Sequence, residues 1–185
     1  MSFQQLLSRL SEILDRAHIA YMLTGSYASS VHGNPRASQD IDIVIAPNRP
    51  QLLALLKLLP DTEYYVSDEA ALDALARRSQ FNVVDFATGW KVDFIIAKDR
   101  EFSRTEFERR RLLELDGLAL YFASPEDVLI AKLEWAKLGA SSRQIEDAAG
   151  IIALQGNQLD TAYVSHWVDA LGLQAQWSTA QQRAV

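Results

Sequence analysis

The chain has no cysteine, which excludes a disulfide framework, a thiolate nucleophile and any zinc site built on sulfur. Histidine is almost as scarce. His18, His32 and His166 are scattered, with no two on one helical turn, so the spacing used by imidazole metal centres is missing. No apolar run is long enough to cross a bilayer. Positive charge is in deficit, with 18 Lys and Arg against 24 Asp and Glu for a net charge of −6. That balance argues against broad, sequence-independent nucleic-acid binding, which needs many Lys or Arg contacts to phosphate, while leaving room for one RNA end on a local patch. A signal peptide is not expected either: Phe3, Leu6, Leu7, Leu10, Ile13 and Leu14 recur at helical spacing with Ser8, Arg9, Ser11 and Glu12 between them. A cytoplasmic location follows as the expectation, with no membrane partner.

What is present fits a folded domain with a core of its own, alone or with a helical appendage: 185 residues, 49% apolar and 23% charged. Patterning predicts a helix over 3–17, a strand over 21–23, a short helix from Tyr27 that Gly33-Asn34-Pro35 stops, and a strand over 41–45. A helix opened by Pro47 and Pro50, with Leu52, Leu53, Leu55, Leu56 and Leu59 as its apolar stripe, should close at Pro60. Residues 68–78 should be helical, and 81–86 with 90–97 should form a hairpin around Ala87-Thr88-Gly89. The highly charged stretch 98–111 carries six basic and four acidic residues and shows no element, and a short strand over 118–122 should complete the sheet. Ser124-Pro125-Glu126-Asp127 is a strong helix start, and all that follows reads as helical, with stops at Gly139, Gly156 and Gly172 and a polar end, 174–185, expected to fray unless Trp177 docks. The fold class is therefore α+β. A mixed sheet with flanking helices should occupy residues 1–122, and a helical region packed on that core should occupy 123–185.

Chemistry concentrates in three places. Asp40 and Asp42 stand in the run Ser38-Gln39-Asp40-Ile41-Asp42-Ile43-Val44-Ile45. A strand has a side-chain period of two, so both acids leave one face, about 7 Å apart, while the isoleucines pack the other. Like charges held that close call for a cation, and hard oxygen ligands on a rigid strand suit Mg²⁺ or Mn²⁺ shared with substrate phosphates. Asp93, in Lys91-Val92-Asp93-Phe94, shares a face with Lys91 and Ile95 and is a third carboxylate. Asp85 is its rival and reads better as an acid at a turn. Upstream, Gly25 lets the backbone turn closely past a ligand, and Ser26 brings a hydroxyl to a helix start whose free amides attract anions.

Gly25-Ser26, then Arg36-Ala37-Ser38-Gln39-Asp40-Ile41-Asp42-Ile43, then Lys91-Val92-Asp93-Phe94 resemble the nucleotidyltransferase superfamily typified by DNA polymerase beta. Ser124 to Leu133 and Arg143-Gln144-Ile145-Glu146-Asp147 are similar to the Lys and Asp helical motifs of minimal nucleotidyltransferases that include abortive-infection toxins, so the resemblance spans roughly 23–154. It implies a nucleotidyltransferase-like fold and transfer of a nucleoside monophosphate from a nucleoside triphosphate, such as ATP or GTP, to an acceptor hydroxyl. It implies Asp40, Asp42 and Asp93 as metal ligands, Gly25, Ser26 and Arg36 at the phosphates, and Lys132 and Asp147 as further site residues. The acceptor stays open among an RNA end, a protein and a small molecule. A toxin-like role in a two-gene system with a cognate antitoxin belongs to the same resemblance, and a catalytically silent nucleotide- or partner-binding module is the alternative.

The residues themselves leave two of these assignments balanced. Lys132 emerges among Val128, Leu129, Trp135 and Ala136, while Glu126, Asp127, Glu134 and Lys137 should fill the solvated arc. Lys132 is then either a snorkelling amine or one aimed at phosphate. Asp147 follows Arg143 by four residues, the spacing of a simple helical ion pair.

Overall fold

A computed structural model describes residues 2–35, 38, 40–115 and 117–184. They form two compact units, 1–23 with 39–122, and 24–38 with 123–185.

In the first unit, helix α1 (Phe3–Arg16) is opened by a capping box between Ser2 and Gln5 and buries Leu6, Leu7, Leu10, Ile13 and Leu14. Strand β1 (Tyr21–Thr24) is buried on both faces. Helix α3 (Arg49–Lys57), capped by Asn48 and Gln51, follows β2 (Asp40–Ile45). Then come β3 (Tyr64–Val66), α4 (Asp68–Arg77), β4 (Gln80–Asp85), β5 (Lys91–Ile96), α5 (Glu101–Glu108), β6 (Arg111–Leu115) and β7 (Leu118–Phe122). Among the described residues the strands make one mixed sheet in the order β3-β4-β5-β2-β1-β7-β6. Strands β2 and β5 are parallel, as are β1 and β7, while β4–β5 and β6–β7 are antiparallel hairpins. The N–H of Ala46 donates to the carbonyl of Ala20 at 3.1 Å. The end of β2 is thereby tied to the entry of β1, so the start of β2 runs beside the exit of β1.

The second unit is helical. Helix α2 (Gly25–His32) begins at Gly25 itself, two residues earlier than the patterning predicts. Gly25 has φ of 63°, a left-handed entry that a side chain would strain. Helices α6 (Pro125–Gly139), α7 (Ser142–Gln155), α8 (Thr161–Leu171) and α9 (Gln174–Arg183) follow, with a 3₁₀ turn at Gly156–Gln158. Gly33 lets α2 approach α7 closely: a Cβ there would lie 2.9 Å from the backbone nitrogen of Ile151. The His32 ring Nε2 hydrogen-bonds with the carbonyl of Ala123 at 2.8 Å, and Gln155 Nε2 donates to the carbonyl of His32 at 2.7 Å. Among the described residues no helix is long and apolar enough to cross a membrane.

Several expectations need correction. Strand β7 lies inside the sheet, between β1 and β6, instead of completing it, because the charged stretch supplies α5 and then the edge strand β6. A short strand, β3, separates the two helices α3 and α4 and takes the opposite edge. Residues 174–183 are helical rather than frayed, since α9 packs on α7 and buries Ala180. Glu126 and Asp127 are buried instead of solvated. Their carboxylates have partners that compensate the burial: Asp127 accepts from Ser124 Oγ and Tyr163 Oη, and Glu126 accepts from the N–H of Asp160.

Candidate active site

The register of β2 against β5 sets Asp40 opposite Lys91 and Asp42 opposite Asp93. Because both strands alternate in step, these four side chains share one face. Ile41, Ile43 and Ile45 with Val92, Phe94 and Ile96 are buried on the other. The apolar face locks the register, since a slip of one residue would turn every aspartate into the core. On β4, Asn82 lies opposite Asp93, so a polar row Asp42, Asp93, Asn82 crosses three strands.

The sheet face already holds a cation. Lys91 Nζ lies 3.0 Å from Asp93 Oδ2 and 3.5 Å from Asp40 Oδ1, with the lysine side chain 40% exposed, Asp40 52% and Asp93 12%. The hydrogen bond with Asp93 holds the Lys91 ammonium above the usual lysine range; partial burial opposes it, and the charges of Asp93 and Asp40 add to the rise. Among the described residues no group of three or more His, Asp and Glu side chains is arranged as a metal cage. The donor set nevertheless fits a hard divalent ion: carboxylate oxygens on a rigid face, with an ammonium standing where a positive charge is wanted. Sequence reasoning placed Lys91 on the face of Asp93 but gave it no role. Its signal was the Lys-x-Asp spacing on a strand, which puts amine and carboxylate on one face.

Asp85 is at a turn, as expected. It is fully buried, its Oδ1 accepts from Arg9 NH2 at 2.6 Å, and its Oδ2 accepts from the N–H of Thr88 at 2.9 Å. That carboxylate belongs to the β4–β5 turn and points to the face opposite Asp93.

In the helical unit, Lys132 on α6 donates to Asp147 Oδ2 on α7 at 2.8 Å, with the two side chains 4% and 7% exposed. This ion pair excludes the snorkelling reading of Lys132 and gives Asp147 a cationic partner on another helix, beyond the helical spacing to Arg143. Gly25 and Ser26 form the first turn of α2. Arg36, assigned to phosphate by the resemblance, lies outside the described residues.

No protein-family model matches the chain, and no curated protein matches it. Solved structures do. ANT(2'')-Ia in complex with adenylyl-2''-tobramycin superimposes with a TM-score of 0.61 at 12% identity, over 94% of this chain and 97% of that one. An antigenic nucleotidyltransferase-like protein from Paracoccidioides brasiliensis gives 0.56 at 18% identity, over 95% and 91%. The lincomycin-bound lincosamide antibiotic adenylyltransferase LnuA gives 0.52 at 12% identity, over 82% and 98%. At these identities the likeness is one of fold, and the fold of this chain is the nucleotidyltransferase-like α+β architecture.

Proposed function

We propose that the chain is a metal-dependent nucleotidyltransferase. The observation that carries this reading is the β2–β5 register, which sets Asp42 opposite Asp93 with Asp40 on the same face and a cation already drawn to it. In this reading the oxygen of an acceptor hydroxyl forms a bond to the α-phosphorus of a nucleoside triphosphate while the bond from that phosphorus to the bridging oxygen breaks. Pyrophosphate departs with the electron pair. Asp93, the least exposed of the measured carboxylates on this face, takes the hydroxyl proton. Asp40, Asp42 and Asp93 hold Mg²⁺ or Mn²⁺, which supplies charge neutralisation at the entering and leaving oxygens. Gly25 and Ser26, at the N-terminus of α2, are assigned with Arg36 to the departing phosphates, where amides and a hydroxyl favour anions. Lys132, which donates to Asp147, is carried as a further site residue by the resemblance of its helix motif. No covalent protein intermediate is needed, so positioning and electrostatics carry the rate.

The acceptor favoured by the antibiotic adenylyltransferases is the hydroxyl of a small molecule, since those proteins align over nearly their whole length. The similarity of the α6 and α7 motifs to abortive-infection enzymes favours instead an RNA end or a protein, with the chain acting in the cytoplasm as the toxin-like half of a two-gene system restrained by an antitoxin. The test is incubation of the protein with Mg²⁺ and each labelled triphosphate in turn. Separate mixtures contain an aminoglycoside, a lincosamide, total RNA or total protein, and Asp42→Ala runs in parallel. Label should move to one acceptor class with the wild type and to none with Asp42→Ala. Absence of label transfer and of pyrophosphate release in every mixture would favour a catalytically silent binding module.

A further inference from the structure

The position of Lys91 goes beyond that reading, although it rests on it. The ammonium is on β5, two residues before Asp93 and directly opposite Asp40 in the parallel register. It reaches both carboxylates, at 3.0 and 3.5 Å. A magnesium ion needs carboxylate oxygens at about 2.0–2.1 Å, and an ammonium against the same oxygens repels it. The oxygen of Asp93 engaged by Nζ is therefore unavailable to a metal until the amine moves. Movement is cheap, because an ion pair with a half-exposed lysine contributes little to stability. Moreover, the lysine stem has four flexible carbons on which to swing the charge away.

We propose that Lys91 is a positioning residue: a tethered counter-ion that keeps the Asp40–Asp93 corner from loading with divalent cations until a polyphosphate arrives. The physical logic is competition. Free metal must displace an ammonium that is already in place, so its affinity for the protein alone is low. A triphosphate changes both sides of the balance, since it brings phosphate oxygens that complete the metal's ligand set and offers the displaced ammonium a new anion. Metal and nucleotide then load together, and the carboxylate face does not hold a bare metal ion able to activate water at the wrong moment.

The experiment uses the full chain and Mn²⁺ as the probe, counted by the paramagnetic resonance signal of the free ion, with and without a non-hydrolysable triphosphate analogue. Wild type should bind Mn²⁺ weakly alone and clearly more tightly with the analogue. Lys91→Met should bind Mn²⁺ alone about tenfold more tightly than wild type and lose most of its dependence on the analogue. The double variant Lys91→Met/Asp93→Asn should lose the gain. Lys91→Gln, which keeps a polar tip without charge, should behave as Lys91→Met and guards against a packing artefact. In the wild type, amine labelling at Lys91, read by peptide mass spectrometry, should change little as Mg²⁺ alone is titrated in and shift once the analogue is added with it. Unchanged or weaker Mn²⁺ binding by both folded Lys91 variants, or labelling indifferent to Mg²⁺ with the analogue, overturns the proposal. The Mn²⁺ readout needs no acceptor and no turnover. A failure to find label transfer therefore counts against the transferase reading alone, and a missing Mn²⁺ gain beside intact transfer counts against Lys91 alone.

Discussion

Among the described residues Lys132 and Lys91 each meet aspartate, and the two places differ in what surrounds them. Lys132 and Asp147 join α6 to α7 with side chains 4% and 7% exposed, Nζ to Oδ2 at 2.8 Å. Lys91 is 40% exposed and divides its charge between Asp93 and Asp40. Burial removes the solvent that would otherwise take over either charge, so the first pair is bound to stay together: separating its members leaves an uncompensated charge in a poorly polarisable interior. Water can take over the Lys91 ammonium and the Asp40 carboxylate of the second contact at little cost. The same two residue types thus make a fixture in one place and an exchangeable counter-ion in the other. Only the exchangeable one suits the metal-loading role proposed for the carboxylate face.

The largest effect that would break this contrast is expected at the buried pair. Lys132→Met should lower unfolding free energy by about 3–5 kcal/mol, read by urea denaturation, because it breaks a buried ion pair from one side. Replacing both members, as Lys132→Met/Asp147→Leu, should recover most of the loss. A Lys132→Met variant as stable as Lys91→Met, which should stay within about 1 kcal/mol of wild type, would mean that burial does not separate the two contacts.

A middle-sized effect sharpens the comparison by holding the sheet constant. Asp85 lies on β4, one strand from Lys91, but it is fully buried and fastens Arg9 and the turn at Thr88. Asp85→Ala should cost about 2–3 kcal/mol, the scale of a lost charge-assisted hydrogen bond with a donor left behind, and hydrogen exchange should rise first at the 85–89 turn. If Asp85→Ala were as mild as Lys91→Met, the tolerance of the carboxylate face would be a property of the whole sheet rather than of its solvent access.

The contrast also explains how far the sequence could be read. Alternation in 40–45 and 91–96 showed two half-polar strands, and their acids could be assigned to one face of each. Opposing Asp42 to Asp93 required the register, a tertiary fact that only the pairing of β2 with β5 supplies. Lys91 was visible as a neighbour on that face, yet nothing in a single strand says that its amine reaches across to Asp40. Asp147 offered Arg143 at helical spacing, whereas the structure pairs it with Lys132, fifteen positions away on another helix. Strands β3 and β6 escaped notice for a related reason. Each is a short edge strand, and the charges leading into β6 hid the pairing of Leu113 with Leu120. The polar α9 is helical through its packing on α7, which local propensity does not report.

The smallest expected effect concerns pH and compares a buried group with an open one once more. Tyr64 sits on β3 opposite Asp85, is 2% exposed, and has the Arg9 guanidinium 5.5 Å from its ring centre. Burial raises its phenol above the ordinary value of 10.0; Arg9 pulls the other way, while Asp85 and Glu63 reinforce the rise. The folded chain then keeps a proton in a range where the unfolded chain has released it. The stabilisation is therefore complete below the unfolded value and is lost as pH climbs through the raised folded value. Lys91 is shifted in the same sense from 10.5, chiefly through Asp93, so its contribution also fades on the alkaline side. Urea midpoints at about pH 8 and about pH 10.5 should separate the two. Tyr64→Phe should flatten the alkaline decline measurably, whereas Lys91→Met should alter it less, because water and salt screen the exposed ammonium but not the buried phenol. The reverse order would place the stronger electrostatic coupling on the open carboxylate face, and the amine there would then be too firmly held to yield to a metal ion.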